Sequence, residues 1–201
     1  MIINKNDKNS VKKTIEVLKK GGIVILPTDT VYGFSGIVDS NTTNTPYSTD
    51  AKIRSIKGRS ETKPLIQLIA KPEDINLYTD DVISESLLAK WPGALTVIVH
   101  TKPDAPLSDE ARIPTIAFRC PGDAWLREII AECGVPIYST SVNRSGQPVL
   151  EEEVKIAEEF SADVDLIVTD GDKKGALPST LISIENGIVK ILRQGSVEII
   201  Q

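Results

Sequence analysis

Cysteine and histidine are nearly missing from this chain: Cys120, Cys133 and His100 are all that its 201 residues contain. Two thiols are too few for a disulfide framework. Neither lies at zinc-ligand spacing from the other or from the histidine, so no recognisable Cys/His metal pattern is present. The thiols read as buried groups in a reducing compartment. Serine–histidine–aspartate chemistry would have to use His100, which has no nucleophile-elbow motif to accompany it; at the end of an apolar run it reads as a surface or capping residue. Aromatic residues make up only 4% of the chain, which argues against a broad base-stacking platform. Apolar runs are of strand length, and the N-terminal M-I-I-N-K-N-D-K-N-S has no signal-peptide core, so a cytoplasmic protein with no membrane partner is expected. Positive charge is also in deficit, 23 Lys and Arg against 28 Asp and Glu for a net charge of −5. Tight non-specific attraction to nucleic acid is thereby disfavoured, and any anion site has to be local. Neither the G-x-x-x-x-G-K-[ST] phosphate loop nor the G-x-G-x-x-G dinucleotide fingerprint occurs, so bound phosphates would have to be held by side chains.

What is present is an alternation of helical and strand patterns, repeated along a chain with no internal repeat, low-complexity segment or linker. This predicts an α/β fold and a single domain over residues 1–201. The organising stretch is 21–36, G-G-I-V-I-L-P-T-D-T-V-Y-G-F-S-G: a buried strand over 23–26, stopped by Pro27, then Thr28, Asp29, Thr30 and Tyr32 on one rim of a sheet. Those residues suit either a ligand site or a turn whose side chains bond their own backbone. Before it, a helix capped by Asn9 or Ser10 carries Val11, Thr14, Ile15 and Leu18 on one face, and Gly21-Gly22 ends it. A second helix from about Asp50 buries Ile53 and Ile56 and stops at Gly58.

Around that stop the charge is concentrated. Lys57, Arg59 and Lys63 lie at or beyond the helix end, and Arg and Lys at i and i+2 suit an anion, the one bidentate and the other a point charge. Further strands are expected over 65–70, 95–99, 115–119, 166–168, 181–184 and 188–192, the last two joined by an Asn186-Gly187 hairpin. Helices are expected over 83–90, 124–133 and 151–160, the last with Val154 and Ala157 inward. P-I-Y-S-T-S-V-N-R-S-G at 136–146 repeats the opening design: Ser139, Ser141 and Asn143 share one face if it stays extended, or form an Asn/Ser-rich turn. Lys57, Arg59, Lys63, Arg119 and Arg193, with hydroxyls from Thr28, Thr30, Ser141, Ser179 and Thr180, suit chemistry driven by positioning and charge neutralisation, as in phosphoryl or nucleotidyl transfer.

The blocks P-T-D-T-V-Y-G, K-G-R followed by K-P-L, W-P-G-A-L-T, A-F-R-C-P, S-T-S-V-N-R-S-G, P-S-T-L and L-R-Q-G resemble, in order and spacing, the YrdC-like family, over about residues 10–195. The resemblance implies a twisted mixed open sheet with flanking helices around a concave, positively charged pocket. It also implies the activity of the family's threonylcarbamoyl-AMP synthases, nucleotidyltransferases that combine L-threonine, bicarbonate and ATP, release pyrophosphate and serve threonylcarbamoyladenosine modification of tRNA. Lys57 and Arg59 would then be the catalytic pair. Thr28, Thr30, Tyr32 and Thr180 would join them around threonine or the carbamoyl group, while Lys63, Arg119, Ser139, Ser141, Asn143, Ser179 and Arg193 would hold the nucleotide. Mg²⁺ would come with ATP, with no metal held by the protein. Downstream tRNA-modifying proteins would be partners, and weak contact with tRNA is compatible with a local basic concavity. Gln67 stands where many relatives have His, which puts one polar substrate contact in question, and Ser60 and Val142 also depart from the common pattern. The chain's end after Gly195 suggests the short form. Two other readings remain: a non-catalytic RNA-binding module of the same fold, and the related carbamoyl-AMP domain of hydrogenase maturation.

Overall fold

Backbone N–H and C=O groups taken out of water must be paired, and a strand finds those partners in its neighbours. In the computed structural model, which describes residues 1–58, 64–185 and 188–199, short strands meet that demand by joining one mixed sheet. They are β1 Ile2–Asn4, β2 Val24–Leu26, β3 Gly33–Ser35, β4 Ile66–Leu68, β5 Leu95–His100, β6 Thr115–Arg119, β7 Ile137–Ser141, β8 Leu166–Thr169, β9 Thr180–Glu185 and β10 Ile188–Arg193. Across the sheet the order is β1-β8-β2-β3-β7-β4-β6-β5-β9-β10. Pairing is parallel for β1–β8, β8–β2, β4–β6 and β5–β9 and antiparallel elsewhere. The α/β class and the mixed open sheet with flanking helices are as expected.

Helices α1 Ser10–Leu18, α2 Thr49–Lys57, α3 Glu85–Leu88, α4 Ala124–Cys133 and α5 Glu153–Phe160 divide between the two faces. On one face Val24, Leu26, Leu68, Ile137, Leu166 and Val168 pack against Leu18 of α1 and Leu126, Ile129 and Ile130 of α4. The opposite face belongs to α2 and α5: Ile25, Phe34, Ile116, Phe118 and Ile182 bury with Ile53, Ile156 and Phe160. There the Phe34 and Phe160 rings meet edge to face, centroids 4.9 Å apart. The two-sided burial of β2 explains why 23–26 reads as a continuous apolar run.

The helix stop at Gly58 is as read, and Gly134 ends α4 in the same left-handed conformation that a C-terminal glycine supplies. Other details differ. Neither β1 nor β3 was expected: β1 is three residues at the sheet edge, and β3 is written in glycine, phenylalanine and serine, buried but without an apolar run. As β3 pairs antiparallel with β2, the P-T-D-T-V-Y segment is a hairpin loop. α3 covers four residues instead of 83–90, with Leu87 its one buried anchor. The Asn9 side chain makes no cap bond to α1. Val154 points outward, because α5 buries Ile156 and Phe160, one turn apart, and position 154 lies on the other side of the helix. Asn186-Gly187 lies outside the described residues, although the strands flanking it do pair antiparallel.

The ring contact sets a test. Phe160→Ala is expected to cost roughly 3–5 kcal/mol in urea unfolding, whereas Val154→Ala, at 63% exposed, is expected to stay within about 0.5 kcal/mol.

Candidate functional site

Successive side chains on a strand take opposite faces, and β6 uses both. Ile116 and Phe118 are wholly buried in the α2–α5 core, whereas Thr115, Ala117 and Arg119 line a cavity of about 510 Å³ on the face that α1 and α4 cover elsewhere. Register extends this surface: Ser139, Ile66, Ala117 and Ile98 are successive partners on β7, β4, β6 and β5, and all four line the cavity. At the sheet's edge Ile191 pairs with Ile182 and Arg193 with Leu181, so β10 inserts an extra residue. This β-bulge lets Leu192 and Arg193 both line the cavity, where strict alternation would turn one of them away. Thr28, Thr30 and Tyr32 from the β2–β3 loop, Ser139 and Ser141 from β7, and Ser179 complete the polar wall.

Arg119 holds that wall together. Its Nε donates to the Gly93 carbonyl at 3.0 Å, Nη1 to Thr30 Oγ1 at 2.9 Å, and Nη2 to Asp29 Oδ1 at 2.6 Å. One hydrogen on each Nη is left over. Burial lowers the Arg119 pKa and the charge of Asp29 opposes that shift. Asp29 Oδ2 accepts the Gly122 N–H at 3.0 Å. Asp29 is therefore a cation-pairing residue, with no Asx turn to its own neighbours. Thr28 Oγ1 donates to Val31 O at 2.8 Å and accepts from Thr30 N at 3.0 Å, and the two threonine hydroxyls are 2.9 Å apart. The local turn and the cavity wall, alternatives in the sequence, are realised together.

P-S-T and R-Q-G are two halves of one contact. Arg193 Nε donates to Ser179 O at 3.0 Å and Nη2 to Ser179 Oγ at 3.1 Å; that hydroxyl also meets Thr96 Oγ1 at 2.7 Å. A Cβ at Gly195 would collide with Pro178 O and the Ser179–Thr180 backbone, so only glycine allows this approach. The Arg193 pKa is lowered by burial first and by the charge of Arg119 second. Thr180 is buried and does not line the cavity: its hydroxyl donates to Val197 O at 2.7 Å and accepts from Gly195 N at 2.9 Å.

The structure thus brings Thr28, Thr30, Tyr32, Arg119, Ser139, Ser141, Ser179 and Arg193 to the cavity. The Tyr32 hydroxyl is engaged by backbone, donating to Gly171 O and accepting from Asp170 N, both at 2.8 Å. Lys57 is a buried tether: Nζ donates to Ser141 O at 2.5 Å, Asn143 O at 3.0 Å and Asn143 Oδ1 at 2.9 Å, and neither Lys57 nor Asn143 lines the cavity. Arg59 and Lys63 lie outside the described residues, as does Ser60; Pro64, which follows them, is in the lining. Gln67 is in register with Tyr138 and Phe118 on the α2–α5 face, away from the cavity. His100 is exposed and pairs with Asp81 at 3.1 Å, a surface residue. The sequence reading missed Thr115, Thr140 and the apolar floor of Ile66, Ala117, Ile98 and Leu181. For β6 the signal was there in the alternation of T-I-A-F-R.

These placements set two expectations. Burial holds the Tyr32 hydroxyl at a pKa of about 12 against an ordinary 10.0, and Tyr78 is raised to the same value. Between those values the unfolded chain has lost protons that the folded chain keeps, so the share of stability set by these two hydroxyls is intact below pH 10 and falls as pH rises towards 12. Tyr32→Phe should flatten that loss in urea midpoints taken across the alkaline range. Lys57→Ala removes a donor to three buried or part-buried acceptors and should lower unfolding stability by about 1–3 kcal/mol.

A family model for Sua5, YciO and YrdC, described as "Telomere recombination", matches residues 16–195. The threonylcarbamoyl-AMP synthase of Bacillus subtilis is 33% identical over 194 residues, covering 93% of this chain and 54% of that protein. A putative threonylcarbamoyl-AMP synthase of Methanocaldococcus jannaschii is likewise 33% identical, covering 94% of this chain and 88% of that one. The crystal structure of Pyrococcus abyssi Sua5 complexed with L-threonine superposes with a TM-score of 0.83 at 25% identity, covering 97% of this chain and 57% of that protein. The chain spans little more than half the length of the Bacillus and Pyrococcus proteins. With the family model matched over most of its length and the same fold in place, the chain belongs to the Sua5/YciO/YrdC family.

Proposed function

We infer that this chain makes threonylcarbamoyl-AMP from ATP, L-threonine and bicarbonate, with release of pyrophosphate. The observation that carries the reading is the pairing of Arg119 and Arg193 on one cavity wall, each with guanidinium hydrogens left over, above an apolar floor and beside serine and threonine hydroxyls. A volume of about 510 Å³ is within the range of small-molecule sites. Guanidinium forks suit phosphate and carboxylate groups, and the apolar floor suits a nucleobase or an alkyl side chain. Names of the Bacillus and Methanocaldococcus relatives, and the threonine bound to the Pyrococcus protein, support the choice of substrates.

In the reaction, the threonine amine adds to bicarbonate and water leaves, forming a carbamate. A carbamate oxygen then attacks the α-phosphorus of ATP, and the bond to the β-phosphate oxygen breaks as pyrophosphate departs. Arg119 and Arg193 would neutralise charge on the phosphates, and Ser139, Ser141 and Ser179 would orient them. No carboxylate is among the described lining residues, and Tyr32 is engaged with the 170–171 backbone, so these residues act by position and charge. Such a hydroxyl and guanidinium lining fits Mg²⁺ that arrives on the polyphosphate of ATP rather than on protein ligands; when bound, the ion would offset phosphate charge. No group of three or more His, Cys, Asp or Glu suited to a metal occurs among the described residues.

The labile product would pass to a downstream tRNA-modifying protein in the cytoplasm. Among the described residues no helix is long and apolar enough to cross a membrane, and both cysteines are free thiols, which supports that location.

Mass spectrometry after incubation with ATP, Mg²⁺, bicarbonate and threonine should find the threonylcarbamoyl-AMP mass only when every component is present. Arg193→Ala should lower kcat/KM for ATP by about tenfold or more. Pyrophosphate release indifferent to threonine would refute the assignment.

A further inference from the structure

Asp29 has no step in the reaction above, yet it is the carboxylate on which the cavity's buried cation rests. Arg119 is only 5% exposed, and its guanidinium is held at three corners: Gly93 O, Thr30 Oγ1 and Asp29 Oδ1. Gly93 O and Thr30 Oγ1 are neutral acceptors, and the contact at 2.6 Å to Asp29 is the shortest of the three. Asp29 is itself fixed, because its second oxygen accepts the Gly122 N–H. A Cβ at position 122 would stand 2.9 Å from that oxygen, so the approach uses the absence of a side chain there. Both partners of the Asp29 carboxylate are donors. An asparagine could meet only one of them, since either flip of its amide sets an NH₂ against the Arg119 or the Gly122 N–H.

We propose that Asp29 is the positioning residue for Arg119, aiming the hydrogens left on Nη1 and Nη2 at the anionic part of ATP. The proposal rests on the reading that ATP occupies this cavity. Asp29 also balances one of the two guanidinium charges while the cavity holds no anion: Arg119 and Arg193 are close enough for one to lower the pKa of the other, and Asp29 pairs with Arg119 at its back.

The test is the affinity of the full chain for ATP with Mg²⁺, measured by isothermal titration calorimetry, with a melting temperature for every variant. Asp29→Asn should weaken binding by about tenfold in the wild-type background, the equivalent of one charge-assisted hydrogen bond. In an Arg119→Lys background, where the guanidinium it positions is gone, the same substitution should change affinity by less than about twofold. Equal losses in the two backgrounds would indicate general structural damage and overturn the proposal, as would unchanged affinity in Asp29→Asn. Gly122→Ala keeps both charges and presses a methyl against Asp29 Oδ2; it should weaken ATP binding in the same direction, and it decides the matter if Asp29→Asn does not fold. A wild-type chain that binds no ATP overturns the functional reading and this proposal together, whereas wild-type binding with unaffected variants overturns this proposal alone.

Discussion

Backbone pairing assigns every second residue of a strand to the same face, and in this sheet one face has to meet two different environments. Across β8, β2, β3 and β7 it carries Val24, Leu26, Ile137, Leu166 and Val168 under α1 and α4. Further along, on β4, β6, β5 and β9, the same face carries Ile66, Thr115, Ala117, Ile98 and Leu181 to a cavity. The α2–α5 face is covered by its own core. The cavity is therefore a part of the sheet that none of the described helices covers, and its described walls come from the neighbouring loops and strand ends.

Those walls are held by bonds between motifs distant in sequence. T-D-T meets A-F-R through Arg119 and Thr30, and Asp29 reaches Gly122. R-Q-G meets P-S-T through Arg193 and Gly195. S-x-N meets the end of α2 through Lys57. Many of the polar groups that suggest ligand contacts are thus already satisfied by one another. This is what burial of a polar group demands, and among the described residues it leaves unused hydrogens on two guanidiniums as donors for a ligand. Polar residues at such a site serve two purposes at once, fixing the wall and presenting what remains to a ligand.

Where local chemistry decided structure, the sequence was legible. Strand β6 and helix α4 begin and end where expected, because alternation and glycine stops are local signals. α2 needed only Gly58 to mark its end. β3 was not legible, since its burial comes from lying between β2 and β7 rather than from its own Gly-Phe-Ser. Nor could Gln67 be placed: a polar residue within an apolar strand indicates neither face until register sets it beside Tyr138 and Phe118. Lys57 had the same ambiguity, a cation at a helix end that suits solvent, substrate or a buried tether equally well until the end of β7 is seen against it.

By itself, then, the sequence determined the class of fold, the helix stops, the absence of a Cys/His metal pattern, and the set of motifs that mark the family. Tertiary structure alone decided which members of those motifs face the cavity. Arg193 reaches it through a bulge in β10, Arg119 through the parity of β6, and Thr180, next to Ser179, is turned away to hold residues 195–197. The reason is physical: composition and spacing say which groups a chain has, but the direction of a side chain depends on strand register and on partners far away in sequence.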